Sequence, residues 1–156
     1  MGAEKSGTRG KPVPIARLEF IELKAETEIN SGELRAPAGD FPGRCIDLRY
    51  LVVRAGREVA IVWYNTFPPD HYLVLYKLFV AAKFRRRGIG SALIQHAEAL
   101  ARARGYNRIL VHAQPLSDDI TEKQLIGWYE KRGFKCTDPE RETYVKNISP
   151  AAPAQC

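Results

Sequence analysis

The chain is poor in sulfur and has no long apolar run. Its three cysteines, Cys45, Cys136 and Cys156, are odd in number and widely spaced. They form no CxxC pair and no zinc spacing, so neither a disulfide framework nor a metal site is expected. No apolar stretch reaches the ~18 residues that span a bilayer, so no membrane partner is expected. Met1–Gly10 is polar and lacks the apolar core of a secretory leader. A reducing, cytoplasmic setting is the expectation that follows. Two common phosphate loops are missing as well. No Gly-x-x-x-x-Gly-Lys-Ser/Thr run occurs, which excludes a Walker A site. The dinucleotide fingerprint needs a third Gly or Ala where this chain has Leu93, and it belongs near a first strand rather than behind three or four. There is no internal repeat.

What remains is an ordinary globular composition, with 45% apolar and 27% charged residues in 156. That is enough for one domain with a sizeable core, placed at residues 15–148. Residues 1–14 read as a flexible arm and 149–156 as a Pro- and Ala-rich tail. The net charge of +6 suits phosphates on a nucleic acid or a small cofactor; a solvated basic face accounts for it equally well.

Ala16–Ala25 alternates and reads as a strand, with a short helix as the other reading. Between Glu26 and Asp47 lie Gly32, Pro37, Gly39, Pro42 and Gly43, which argue against a long regular element. Leu48–Arg54 and Glu58–Asn65 form a hairpin about Ala55-Gly56-Arg57. After a turn at Thr66–Asp70, His71–Val80 is apolar enough for a central strand covered on both faces. Gly88–Arg104 carries Ile89, Leu93, Ala97 and Leu100 at helical steps, and Gly105 stops it. Asn107–Ala113 is a short buried strand, so strand, helix and strand make a parallel crossover. Thr121 and Gln124 spell a capping box for a helix reaching Arg132. Phe134–Thr137 and Glu142–Asn147 close the chain as a strand pair.

The stretch Arg85-Arg86-Arg87-Gly88-Ile89-Gly90-Ser91 joins the central strand to the clearest helix. Amides at a helix start have no intrahelical partner, and the dipole there favours an anion. Gly88 and Gly90 allow close approach to the backbone.

Two motifs in this order, Arg85-x-x-Gly88-x-Gly90 and Tyr129-x-x-x-Gly133-Phe134, resemble the GCN5-related N-acetyltransferase (GNAT) superfamily over roughly Leu48–Ile148. The resemblance implies an α/β (α+β) fold. Its central sheet is mixed and mostly antiparallel, with about six or seven strands, flanking helices and splayed central parallel strands. It implies acetyl-CoA as co-substrate, with pantetheine on the backbone of Leu78, Phe79 and Val80. The pyrophosphate falls on the Arg86–Ser91 amides, beside the guanidinium groups of Arg85, Arg86 and Arg87. It implies Tyr129 as the acid that protonates the leaving thiolate; core packing is the other reading of that side chain. Relatives often carry a base glutamate four residues before the strand-ending Val, where this chain has Tyr76. The base is then a water relay, His71 or His112, or the amine arrives deprotonated. A hydrogen-bonded core histidine is the other reading of His112. Glu122 stands where relatives often have an asparagine. With Asp118 and Asp119 it faces a cationic acceptor or caps its helix.

The expected function is acetyl transfer to a primary amine, on a small molecule or a peptide. Glu26–Asp47 and Tyr64–Tyr72 would shape the acceptor site, and a homodimer is allowed. A silent acyl-CoA-binding or sensing domain is the alternative. A nucleic-acid module is disfavoured, because no RNA-binding aromatic motif or recognition helix accompanies the basic run.

Overall fold

The computed structural model describes residues 17–39, 48–141 and 143–149. The expected N-terminal arm, most of the C-terminal tail, Cys45 and Cys156 lie outside them. In order the elements are β1 (Glu19–Glu22), α1 (Gly32–Ala38), β2 (Leu48–Arg54), β3 (Arg57–Phe67) and β4 (Tyr72–Val80), then α2 (Ile89–Ala103), β5 (Arg108–His112), α3 (Glu122–Glu130), β6 (Lys135–Asp138) and β7 (Thr143–Asn147). The seven strands form one mixed sheet in the order β1-β2-β3-β4-β5-β7-β6. Chain contacts divide it into two compact units, Met1–Trp63 with Lys77–His96, and Tyr64–Tyr76 with Ala97–Cys156.

In the first unit β1 pairs antiparallel with β2, Glu19 opposite Val53. The β2–β3 turn puts Ala55 at φ 52° and Gly56 at φ 77°. Two left-handed residues in succession match the twist of a two-residue hairpin. Leu23, Ile29, Leu34, Leu51, Ile61, Trp63 and Phe79 build one core cluster. Leu34 comes from a helix that the breakers of residues 26–47 conceal. α1 is only seven residues long and contains Pro37, too little to persist alone in water. It is held at both ends. Ser31 caps it, its hydroxyl accepting the Leu34 amide. The Glu58 carboxylate accepts the Asn30 and Ser31 amides at 3.0 and 2.7 Å. At the far end the Lys77 ammonium donates to the Pro37 and Ala38 carbonyls at 2.7 and 3.2 Å. Acid at the start and base at the end both complement the helix dipole.

His96 of α2 stacks on Phe20 with centroids 3.9 Å apart, and Tyr50 meets it edge-on. Burial lowers its pKa to about 4, whereas an unfolded imidazole titrates near 6.5. Between those values the unfolded chain holds the extra proton. Stability is therefore complete above about pH 6.5 and is lost as pH falls toward 4, by about 2 kcal/mol once the partial exposure of the ring is discounted. In urea titrations at several pH values, His96→Phe is expected to flatten this acid slope. An unchanged slope would assign it to other groups.

In the second unit β4 and β5 run parallel, in register from Tyr72–Arg108 to Leu75–Val111. β5 and β7 are antiparallel from Arg108–Asn147 to His112–Thr143. Alternation sorts the side chains into two faces. One carries Leu73, Leu75, Ile109, Val111 and Tyr144, all buried; here Lys146 reaches Glu98 of α2 at 2.6 Å. The other carries Tyr72, Val74, Tyr76, Arg108, Leu110, His112, Val145 and Thr143. The expectation that β4 is covered on both faces fails there, because Tyr76 is 50% exposed. An apolar run reports that a strand is central; it does not report whether a helix covers each position. The capping box at Thr121 and Gln124 forms as the spacing predicts, with both bonds made.

Candidate functional site

The loop after β4 is braced before it reaches α2. The Ala81 amide donates to the Val59 carbonyl at 2.9 Å. Ala82–Phe84 is a single 3-10 turn. Its first amide donates to Glu33 of α1 at 2.6 Å. Arg85 bonds back to its own strand. Its Nε donates back to the Val80 carbonyl at 2.8 Å, and its guanidinium lies 5.0 Å from the Phe79 ring centre. Arg86 and Arg87 are exposed.

Arg86 at φ 61° and Gly88 at φ 82° are both left-handed. Arginine gains nothing from that conformation, so the surrounding turn imposes it. Left-handed residues alternating with extended or helical ones curl successive amides toward one side, which makes a concavity for an anion. The Gly88 carbonyl accepts the Ala92 amide at 3.1 Å. The amides of Ile89, Gly90 and Ser91 therefore precede the first i to i−4 bond of α2. Phe79 lies in the core cluster of this unit. Val80 is buried and Leu78 half-buried.

In the second unit Tyr129 is 4% exposed on α3. Its ring packs edge-on against Trp128 and Phe134 at 5.1 and 5.4 Å. The Arg132 and Phe134 amides both donate to its carbonyl, at 2.9 and 3.2 Å, which folds the chain back at Gly133. Burial pushes the Tyr129 hydroxyl above the ordinary phenol value, and the nearby Arg132 cation pulls it the other way. The group stays protonated across the physiological range. Arg132 sits 3.8 Å over the Trp128 ring and donates to the Trp128 carbonyl at 2.8 Å.

His112 ends β5 and is exposed, with Nδ1 3.3 Å from the Thr143 hydroxyl. It is not a core histidine. His71 lies in the turn before β4, left-handed at φ 57°, its carbonyl accepting the Asn107 amide. Asp118 helps line an open hollow with Pro115, Leu116, Ser117 and Ile120. Among the described residues no cluster of three or more His, Cys, Asp or Glu is placed to hold a metal, and no helix is long and apolar enough to cross a membrane.

Spacing alone finds neither Glu33, which holds the start of the loop, nor Thr143, which holds His112. Their contacts span 49 and 31 residues, and neither belongs to a local motif.

Residues 47–136 match the family model described as an acetyltransferase (GNAT) domain. Three solved structures are similar to the chain. A GNAT family acetyltransferase from Elizabethkingia anophelis with acetyl-CoA bound is 16% identical, with 85% of this chain and 99% of that one covered and a TM-score of 0.61. The ribosomal-protein-S18-alanine N-acetyltransferase from Escherichia coli is 17% identical, with coverages of 89% and 99% and a TM-score of 0.61. Tetrahymena GCN5 is 15% identical, with coverages of 70% and 72% and a TM-score of 0.54. At these identities the likeness is one of fold.

Proposed function

Because the chain belongs to the GNAT family and is an N-acetyltransferase, we propose that it moves the acetyl group of acetyl-CoA directly to a primary amine. The observation that carries this reading is the loop: left-handed Arg86 and Gly88 leading into the first amides of α2. A diphosphate needs several donors converging on a small volume, and this backbone supplies them. Arg86 and Arg87 add charge from solvent. Arg85, folded onto Val80, serves as a brace for the strand end. Pantetheine is assigned to the backbone of Leu78, Phe79 and Val80.

The amine nitrogen forms a bond to the thioester carbonyl carbon while His112 Nε2 takes its proton. The carbonyl oxygen carries the developing charge and then re-forms its double bond as the carbon–sulfur bond breaks. CoA leaves as thiolate and takes up the hydroxyl hydrogen of Tyr129; the phenoxide then regains a proton from solvent as the His112 imidazolium releases its own, which returns both groups to their starting state. A neutral phenol suits that task, and burial keeps it neutral.

The test combines binding and turnover. Acetyl-CoA at a hundredfold excess over its Kd should stabilise the fold by about 2.7 kcal/mol, read as a rise in unfolding temperature. Thiol release is then followed with spermidine, tyramine, lysine ethyl ester and an alanine-ended peptide. No stabilisation would refute the CoA assignment. Stabilisation with silence across broad amine panels would favour the sensing domain, the reading that Tyr76 at the usual glutamate position supports.

A further inference from the structure

On one face of the second unit, three strands carry a phenol, an imidazole and a hydroxyl, the last two directly paired. The β4–β5 register ends at Leu75 opposite Val111. The next position on each strand is Tyr76 and His112, on the same face by alternation. His112 is in turn directly opposite Thr143 on β7. Tyr76 and His112 are exposed, whereas Thr143 is 8% exposed. The buried end of the row is therefore the end that can hold a fixed orientation.

We propose that Thr143 is the positioning residue of the reaction, its hydroxyl selecting the His112 tautomer that leaves Nε2 free to accept the amine proton. The inference rests on the base role given to His112 above. The Thr143 hydroxyl oxygen lies 3.3 Å from Nδ1. A hydroxyl either accepts from Nδ1–H or donates to bare Nδ1. The first arrangement leaves the Nε2 lone pair directed away from β7. The second puts hydrogen on Nε2, where no proton can be taken up. After proton transfer, Nδ1–H still has its acceptor, so the imidazolium is held in the same pose.

Thr143 is built to stay in place. Its Cβ is branched, which stiffens χ1. Its carbonyl accepts the Thr137 hydroxyl at 3.4 Å, at a bulge between Cys136 and Asp138 on β6. Bulges gather beside active sites because they re-aim a side chain without breaking the sheet. Here the bulge brings a second side chain to the residue that faces His112.

The tautomer can be read without any acceptor amine. The full chain has three histidines, so long-range proton–nitrogen correlation with labelled histidine resolves them, and His112→Gln assigns the third. At about pH 8, where free imidazole is neutral, His112 should show a protonated Nδ1 and a bare Nε2. Thr143→Val, close in shape, should lose that preference. It should also lower kcat about tenfold, the size of one lost orienting hydrogen bond, with the acetyl-CoA KM unchanged. Thr143→Ser should restore both. A parent enzyme with hydrogen on Nε2 overturns the proposal, as does a Thr143→Val protein with an unchanged tautomer or rate, or a serine variant that restores neither. If His112→Gln turns over at full rate, the base reading fails instead, and the tautomer measurement still reports what Thr143 does.

Discussion

Gly90→Asp is expected to weaken acetyl-CoA binding about a hundredfold or more while leaving the fold as stable as before, or more so. The two effects have opposite signs because one position serves two partners. Gly90 is the second residue of α2. A carboxylate in a first helical turn is favoured by the helix dipole by about 0.3–1 kcal/mol, and aspartate is a slightly better helix former than glycine. The same carboxylate would stand where the diphosphate is proposed to sit. Two like charges a few ångströms apart at a protein surface repel by about 3 kcal/mol, a factor of about a hundred or more in KM. Unfolding temperature with and without acetyl-CoA separates the outcomes. The ligand-free midpoint should hold or rise, and the ligand-induced shift should shrink. An undiminished shift would move the pyrophosphate off this helix start.

Tyr129→Phe is the second large effect. Turnover should fall about a hundredfold, the lower range for losing a positioned proton donor. The acetyl-CoA-induced stabilisation should remain, because the loop lies elsewhere in the sequence. The aromatic contacts with Trp128 and Phe134 keep their shape, so the cost to stability is expected near 1 kcal/mol. Because the hydroxyl is held well above the physiological range, the parent's rate should not decline through Tyr129 ionisation between about pH 6 and 9. A Tyr129→Phe enzyme with full turnover would return Tyr129 to a packing role.

Much of this architecture is legible in the residues because its signals are local. Ile89, Leu93, Ala97 and Leu100 mark α2, and Thr121 with Gln124 marks the start of α3. Ala55-Gly56 marks the hairpin, although β3 then runs two residues further than alternation suggests, to Phe67. β1 is shorter than its pattern, Glu19–Glu22. α1 was hidden because Gly32, Pro37 and Gly39 outweigh any local preference. What stabilises it comes from Glu58 and Lys77, 27 and 40 residues away. The same distinction divides the site. The loop and Tyr129 sit in short motifs. The bracing of Ala82 by Glu33 and of His112 by Thr143 exists only once the strands are assembled. Arg85 belongs to both descriptions: its place in the motif assigns it to the ligand, and its Nε bonds the end of its own strand, a contact that no motif announces.

The short helix α1 has one further consequence. Two carboxylates and one ammonium fasten it to the chain around it: Glu58 at its entrance, Lys77 at its exit and Glu33 outward to Ala82. Its amide hydrogens should therefore exchange with deuterium as a single group, through an opening much smaller than global unfolding. Occupation of the loop that begins at Ala82 should slow that exchange. Protection measured on Leu34 and Arg35 would then act as a remote gauge of whether the proposed pyrophosphate loop is filled.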